Sequence, residues 1–143
     1  MAYQHAELTE AIIDAVIRVH SRLGPGFLES IYRNALTIEL SQRKIYFEAE
    51  KEYPVMYEGR LVGKHRLDLL VEDTVIVELK TVEEFHKAHY AQLRSYLKAA
   101  KKEVGLLVNF AKMRADFRRV ELDSSPASPY LLIKKRHRVN CAI

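Results

Sequence analysis

The stretch RLDLLVEDTVIVELK, Arg66 to Lys80, holds two carboxylates and an ammonium group that could do chemistry together. Its alternation predicts two short strands joined at Glu72-Asp73-Thr74. With a three-residue turn, Asp68 faces Glu78 and Arg66 faces Lys80. Facing carboxylates repel, and so do facing cations. Exchanging the partners would be electrostatically easier, so the arrangement asks for something between the two acids. A divalent cation answers that. Mg²⁺ takes a few carboxylate oxygens and fills the rest of its octahedron with water. The backbone carbonyl of Leu79 is a further candidate ligand. Lys80 lies on the same face as Glu78. There it would orient an attacking water and offset the charge that develops at a scissile phosphate. The bland alternative is a hairpin whose charged face is merely solvated, and the spacing alone has low specificity.

The elements that must position these groups follow from periodicity. Leu8, Ile12, Val16, Val19 and Leu23 predict a helix over Glu7–Leu23, which Gly24-Pro25-Gly26 stops. FLESIYRNALTIELSQR predicts a second helix, with Glu29 in its first turns. An acid there also suits the helix macrodipole, a purely structural reason for its presence. Tyr46–Val62 predicts strand–turn–strand around Glu58-Gly59, and Pro54 points to an edge or a bulge. In the Arg66–Lys80 hairpin, Leu67, Leu69, Val71, Val75, Val77 and Leu79 form one apolar face. The opposite face holds Arg66, Asp68, Leu70, Ile76, Glu78 and Lys80. A third helix spans Glu83–Lys101, with His89, Gln92 and Tyr96 on one side. Taken singly, these three are ordinary surface or half-buried residues. Strands over Val104–Phe110 and Arg114–Leu122 complete the pattern, and SSPASP breaks it.

Composition bounds the class. The chain has 143 residues, 48% hydrophobic and 29% charged, the balance of one globular domain. A single cysteine excludes a disulfide framework within the chain and suits a cytoplasmic setting. The charged N-terminal segment is neither a signal peptide nor a membrane span. The net charge is +4, and from Ala111 onward eight basic residues face three acidic ones. A nucleic-acid backbone would favour such an excess, Lys134, Lys135 and Arg136 above all. The simplest account of that run is a solvated tail. The expected division is a domain over 1–122 and a basic C-terminal extension over 123–143.

Gly26-Phe27-Leu28-Glu29-Ser30-Ile31-Tyr32 matches a GxxExxY signature. RLDLLVEDTVIVELKTV, HYAQLRSYLKA and VGLLVNF follow in order. Over about Glu7–Leu122 the chain resembles the GxxExxY protein family, assigned to the PD-(D/E)xK nuclease superfamily. The resemblance implies an α/β (α+β), restriction-endonuclease-like core: a mixed central sheet with an antiparallel hairpin, flanked by helices. The crossover from the Val75–Lys80 strand to Val104–Phe110 should then be parallel. It implies Asp68 and Glu78 as ligands of Mg²⁺ or Mn²⁺, with Glu29 and the Leu79 carbonyl in support, and Lys80 as the catalytic lysine. Gln92 and Tyr96 match the polar face behind the motif. Arg66 and His89 lie where they would meet a substrate. The residues after Leu122 have no counterpart in the family pattern.

The function this implies is a Mg²⁺-dependent nuclease acting on nucleic acid, DNA in the first place, with a homodimer expected by analogy. Two other classes fit the same residues. One is a nucleic-acid-binding module without turnover, and the other is a scaffold subunit of a larger complex. An intact Asp-Glu-Lys set speaks against a decayed site.

Overall fold

The computed structural model describes residues 5–122 and the backbone of the strand Ile133–Arg138. Helix α1 spans Ala6–Leu23 and buries Ile12, Ala15, Val16 and Val19 along one side. It ends where expected. Gly24 and Gly26 take φ of 70° and 113°, values that L side chains rarely adopt, and Pro25 between them cannot continue a helix. Helix α2 (Glu29–Gln42) starts two residues later than its apolar pattern suggests, leaving Phe27 and Leu28 in the turn.

Tyr32 ties this turn to the core. Its hydroxyl donates to the Gly24 carbonyl and accepts from the Phe27 amide at 3.2 Å. Its ring is fully buried and stacks on Phe110, with centroids 4.2 Å apart. Tyr32→Phe should keep the stacking and lose the turn. The expected cost is about 1–2 kcal/mol of unfolding free energy, read by urea denaturation. An unchanged midpoint would mean that the turn holds without it.

Six strands form one sheet in the order β1 (Phe47–Tyr57), β2 (Arg60–Val71), β3 (Val75–Lys80), β4 (Val104–Asn109), β5 (Asp116–Leu122) and β6 (Ile133–Arg138). All neighbours are antiparallel except β3 and β4, which run parallel as the crossover through α3 (Lys87–Ala100) requires. Pro54 does lie on an edge strand, two residues before a register shift. The run from Lys134 to Arg138, expected as a tail, is part of β6, and its backbone pairs with β5.

The sheet lies between two helical layers. On one side α1 and α2 bury Ile12, Val16, Leu36 and Leu40 against Leu69, Val77, Leu106 and Val108. On the other side α3 buries Leu93, Tyr96 and Leu97 against Leu67, Leu70, Ile76 and Leu107. Both faces of the β2–β3 hairpin are therefore covered, and its inner strands read as nearly continuous apolar runs. Two expectations change. The predicted strands around Val62 and Arg66 are one long strand, β2, because pairing with β1 resumes beyond the register shift at Val55/Met56 and runs on from Gly63 to Leu67. Leu67 sides with Leu70 and Ile76, not with Leu69. The alternation slips between them, opposite Glu50, whose φ of 55° interrupts β1.

Helix α3 begins at Lys87, four residues later than predicted. His86 and His89 close its first turn reciprocally, and His89 Nδ1 accepts the His86 amide at 3.0 Å. The helix lies tightly on the sheet at Gly105. A Cβ there would come within 2.8 Å of Leu93 Cδ1. Gly105→Ala should cost about 1–3 kcal/mol, measured by urea denaturation. A cost near zero would show that Leu93 can step aside. Among the described residues, no helix is long and apolar enough to cross a membrane.

Candidate active site

The β2–β3 register runs Val71–Val75, Leu70–Ile76, Leu69–Val77, as a three-residue turn demands. It then stops. Asp68 and Glu78 do not form the next rung; each carboxylate instead reaches for the other strand's backbone. Glu78 Oε2 accepts the Asp68 amide at 2.9 Å, and Asp68 Oδ2 accepts the Leu79 amide at 2.9 Å. The strands part here and the side chains fill the gap. This interlock fixes both carboxylates while spending one oxygen of each.

Glu78 is 4% exposed. Burial, and then the charge of Asp68, push its carboxyl up to about 8, against the pull of the Asp68 amide and of Lys80. The pair is electrostatically uncomfortable by itself, as facing acids should be. Beyond Glu78, the Lys80 ammonium donates to Gln92 Oε1 at 2.8 Å. Tyr96, one turn further along α3, has its hydroxyl pushed up to about 12 by burial and then by the charges of Glu78 and Asp68. His89 is half-buried, and burial and then Lys80 hold its imidazole below the usual range. Lys80, Gln92 and Tyr96 thus lie beside the acids, with His89 next to Lys80.

The predicted residues are not all gathered. The side chain of Glu29, the first residue of α2, makes no hydrogen bond or ion pair among the described residues. No group of three or more His, Cys, Asp or Glu side chains forms a ready metal cluster among them. Arg66 does not face Lys80. It is paired with Glu52 across β1–β2, and its guanidinium meets Glu50 at 3.4 Å. Of Lys134, Lys135 and Arg136, only the backbone placement in β6 is described.

Four residues were missed. Arg33 approaches Asp68 Oδ1 at 3.6 Å and Glu50 at 3.7 Å. It lies four residues after Glu29, on the same helical face, so spacing alone could have raised it. Glu50, which joins Arg33 to Arg66, gives no signal in the sequence. His65 sits against the Tyr96 ring, with centroids 4.7 Å apart. Asn109, fully buried, pairs with Lys80 across β3–β4. Its amide accepts from Val82 and Ala111 at 3.1 Å and donates to the Val82 carbonyl at 2.7 Å. It clamps the loop that leaves Lys80; a lone amide closing an apolar strand was the available hint.

The donor set fits a hard divalent ion. It offers two carboxylates, with Glu78 Oε1 taking no hydrogen bond among the described residues. In a strand the N–H and C=O of one residue point to the same side, so the Leu79 carbonyl is directed with its amide toward Asp68.

The pattern of the PD-(D/E)XK nuclease superfamily matches residues 6–120, which include every site residue from Glu29 to Asn109. The chain belongs to this superfamily. The Asp68, Glu78 and Lys80 constellation therefore lies within a nuclease-type domain. The superfamily fold is also met in the crystal structure of SSO0001, which is 22% identical, covers 78% of this chain and 67% of that one, and superposes with a TM-score of 0.55. This likeness concerns the fold. A search of curated proteins finds no match.

Proposed function

We propose that this superfamily member hydrolyses phosphodiester bonds of nucleic acid, DNA in the first place, and that it is of the GxxExxY type. The supporting observation is the interlocked pair of Asp68 and buried Glu78, with Lys80 at its edge. Asp68, Glu78 and the Leu79 carbonyl would hold Mg²⁺ or Mn²⁺, with Glu29 in support. The ion supplies Lewis-acid polarisation and a more acidic water. The chain's own groups do the rest. The backbone amides hold the two carboxylates at fixed positions, so little reorganisation is needed when charge develops. Gln92 orients the Lys80 ammonium, which would donate to a phosphate oxygen and offset its growing charge. Tyr96, kept as a phenol, is a donor for the same substrate, and Arg66 and His89 would contact its flanks. A cytoplasmic setting and a dimer able to cut both strands belong to the same reading.

One observation favours a second reading, a binding module without turnover. The Arg33 guanidinium lies 3.6 Å from Asp68 Oδ1 and offsets part of the charge that a metal ion would otherwise neutralise. The deciding experiment is a cleavage assay on labelled duplex, single-stranded and branched DNA and on RNA, with Mg²⁺ or Mn²⁺. Glu78→Gln and Lys80→Ala run beside the wild type, each checked for folding. Cleavage lost in both variants supports the nuclease. Binding without cleavage in the wild type moves the module to the front.

A further inference from the structure

The flank of α3 away from Gln92 carries its own pattern. Lys87, Arg94, Lys98 and, just past the helix, Lys101 recur at steps of seven, four and three. At 100° per residue they fall within an arc of roughly 60°, along about 21 Å of helix axis. From Lys87 to Lys101 there is no acidic residue. Surface helices ordinarily mix the signs. Here like charges stand at i,i+4 and i,i+3, and Lys87 occupies the first helical position, where the macrodipole disfavours a cation. The neighbouring acids do not compensate. Glu84 is taken by Lys112 at 3.3 Å and Glu103 lies 4.0 Å from His5. The ammonium groups of Lys87, Lys98 and Lys101 make no ion pair among the described residues.

Such a stripe costs the free protein self-repulsion, which a polyanion would reverse. Between the stripe and Gln92, the outward face of α3 carries only Ala88, Ala91, Ser95 and Ala99, and Ser95 folds its hydroxyl back onto the Gln92 carbonyl at 2.9 Å. A chain of phosphates can cross that low ridge from the acids to the lysines.

We propose that this flank of α3 is a track for the DNA phosphate backbone beside the scissile bond. The inference rests on the nuclease reading and names where its substrate runs. Lys87, Lys98 and Lys101 each neutralise one phosphate, and Arg94 lies among them.

The test is equilibrium DNA binding by fluorescence anisotropy in EDTA, over a series of salt concentrations, with duplex and single-stranded probes. The triple variant Lys87→Gln, Lys98→Gln, Lys101→Gln is compared with a charge-matched control, Arg22→Gln, Lys44→Gln, Arg60→Gln, at exposed positions elsewhere. Loss of three phosphate contacts should flatten the plot of log K against log salt by about 2.7 for duplex and about 2 for a single strand. The control should keep the wild-type slope. A stripe variant with the wild-type slope, or a control that flattens equally, overturns the track while leaving the nuclease standing. A wild type that binds no DNA but cleaves RNA overturns the DNA track alone. One that neither binds nor cleaves any nucleic acid overturns both.

Discussion

Lys80→Ala is expected to slow phosphodiester cleavage by about 10²–10³-fold, the usual effect of removing one aligned electrostatic donor from a reacting centre. The fold should survive. Lys80 is the last residue of β3, outside both core clusters, and its loop is held independently by Asn109. Substrate binding should weaken far less than the rate, because the ammonium acts on charge that appears mainly in the transition state. Gln92→Ala, which frees Lys80 without removing it, should show a smaller loss of the same kind. Single-turnover kinetics separate the two. A Lys80→Ala protein that cleaves at the wild-type rate would remove the lysine from the mechanism.

Glu78→Gln should have opposite effects on activity and on stability. The folded protein raises the Glu78 carboxyl from its ordinary 4.5 to about 8. Between those values the native state keeps a proton that the unfolded chain has released. Without a divalent cation, stability therefore falls as pH rises through this window, by at most about 1.4 kcal/mol per pH unit, and levels off above it. Glutamine removes the titration and still offers an oxygen to the Asp68 amide. The variant should melt at a higher temperature than the wild type at pH 8 in EDTA, and at nearly the same temperature near pH 4. Millimolar Mg²⁺ or Mn²⁺ should invert the order at pH 8, because a bound cation needs the ionised pair. The wild type should gain and the variant should not. Scanning calorimetry at three pH values, with and without the ion, decides it. A variant that is less stable than the wild type at pH 8 in EDTA would contradict the strained carboxylate pair. Equal gains with metal would move the ion elsewhere.

Both results turn on features that sequence reading reached only in part. The chain order of helices and strands was legible because each buried face repeats at its own period. Val75, Val77 and Leu79 alternate as a strand does, and Ile12, Val16 and Val19 recur at the spacing of a helix. The Glu72–Thr74 turn gave the correct register from Leu69 to Val71. The same alternation failed at Leu67, because it assumed that pairing continues past Leu69. The exchange of side-chain carboxylates for backbone rungs at Asp68 and Glu78 is a tertiary event. It depends on where β2 must leave β3 to follow β1, and no local pattern carries that.

The sequence by itself determined the acids, the lysine, the strand that joins Glu78 to Lys80 and the helix that returns Gln92 to it. These are local, with spacings set by one strand and one crossover. Only the tertiary structure decided how buried Glu78 is, and hence its raised pKa, since burial is a property of what packs above. Only it decided that Arg33 meets Asp68 while Arg66 turns to Glu50. Long cationic side chains choose among acids by distance in space. That distance follows from how α2 and β1 lie against the hairpin, which no spacing along the chain encodes.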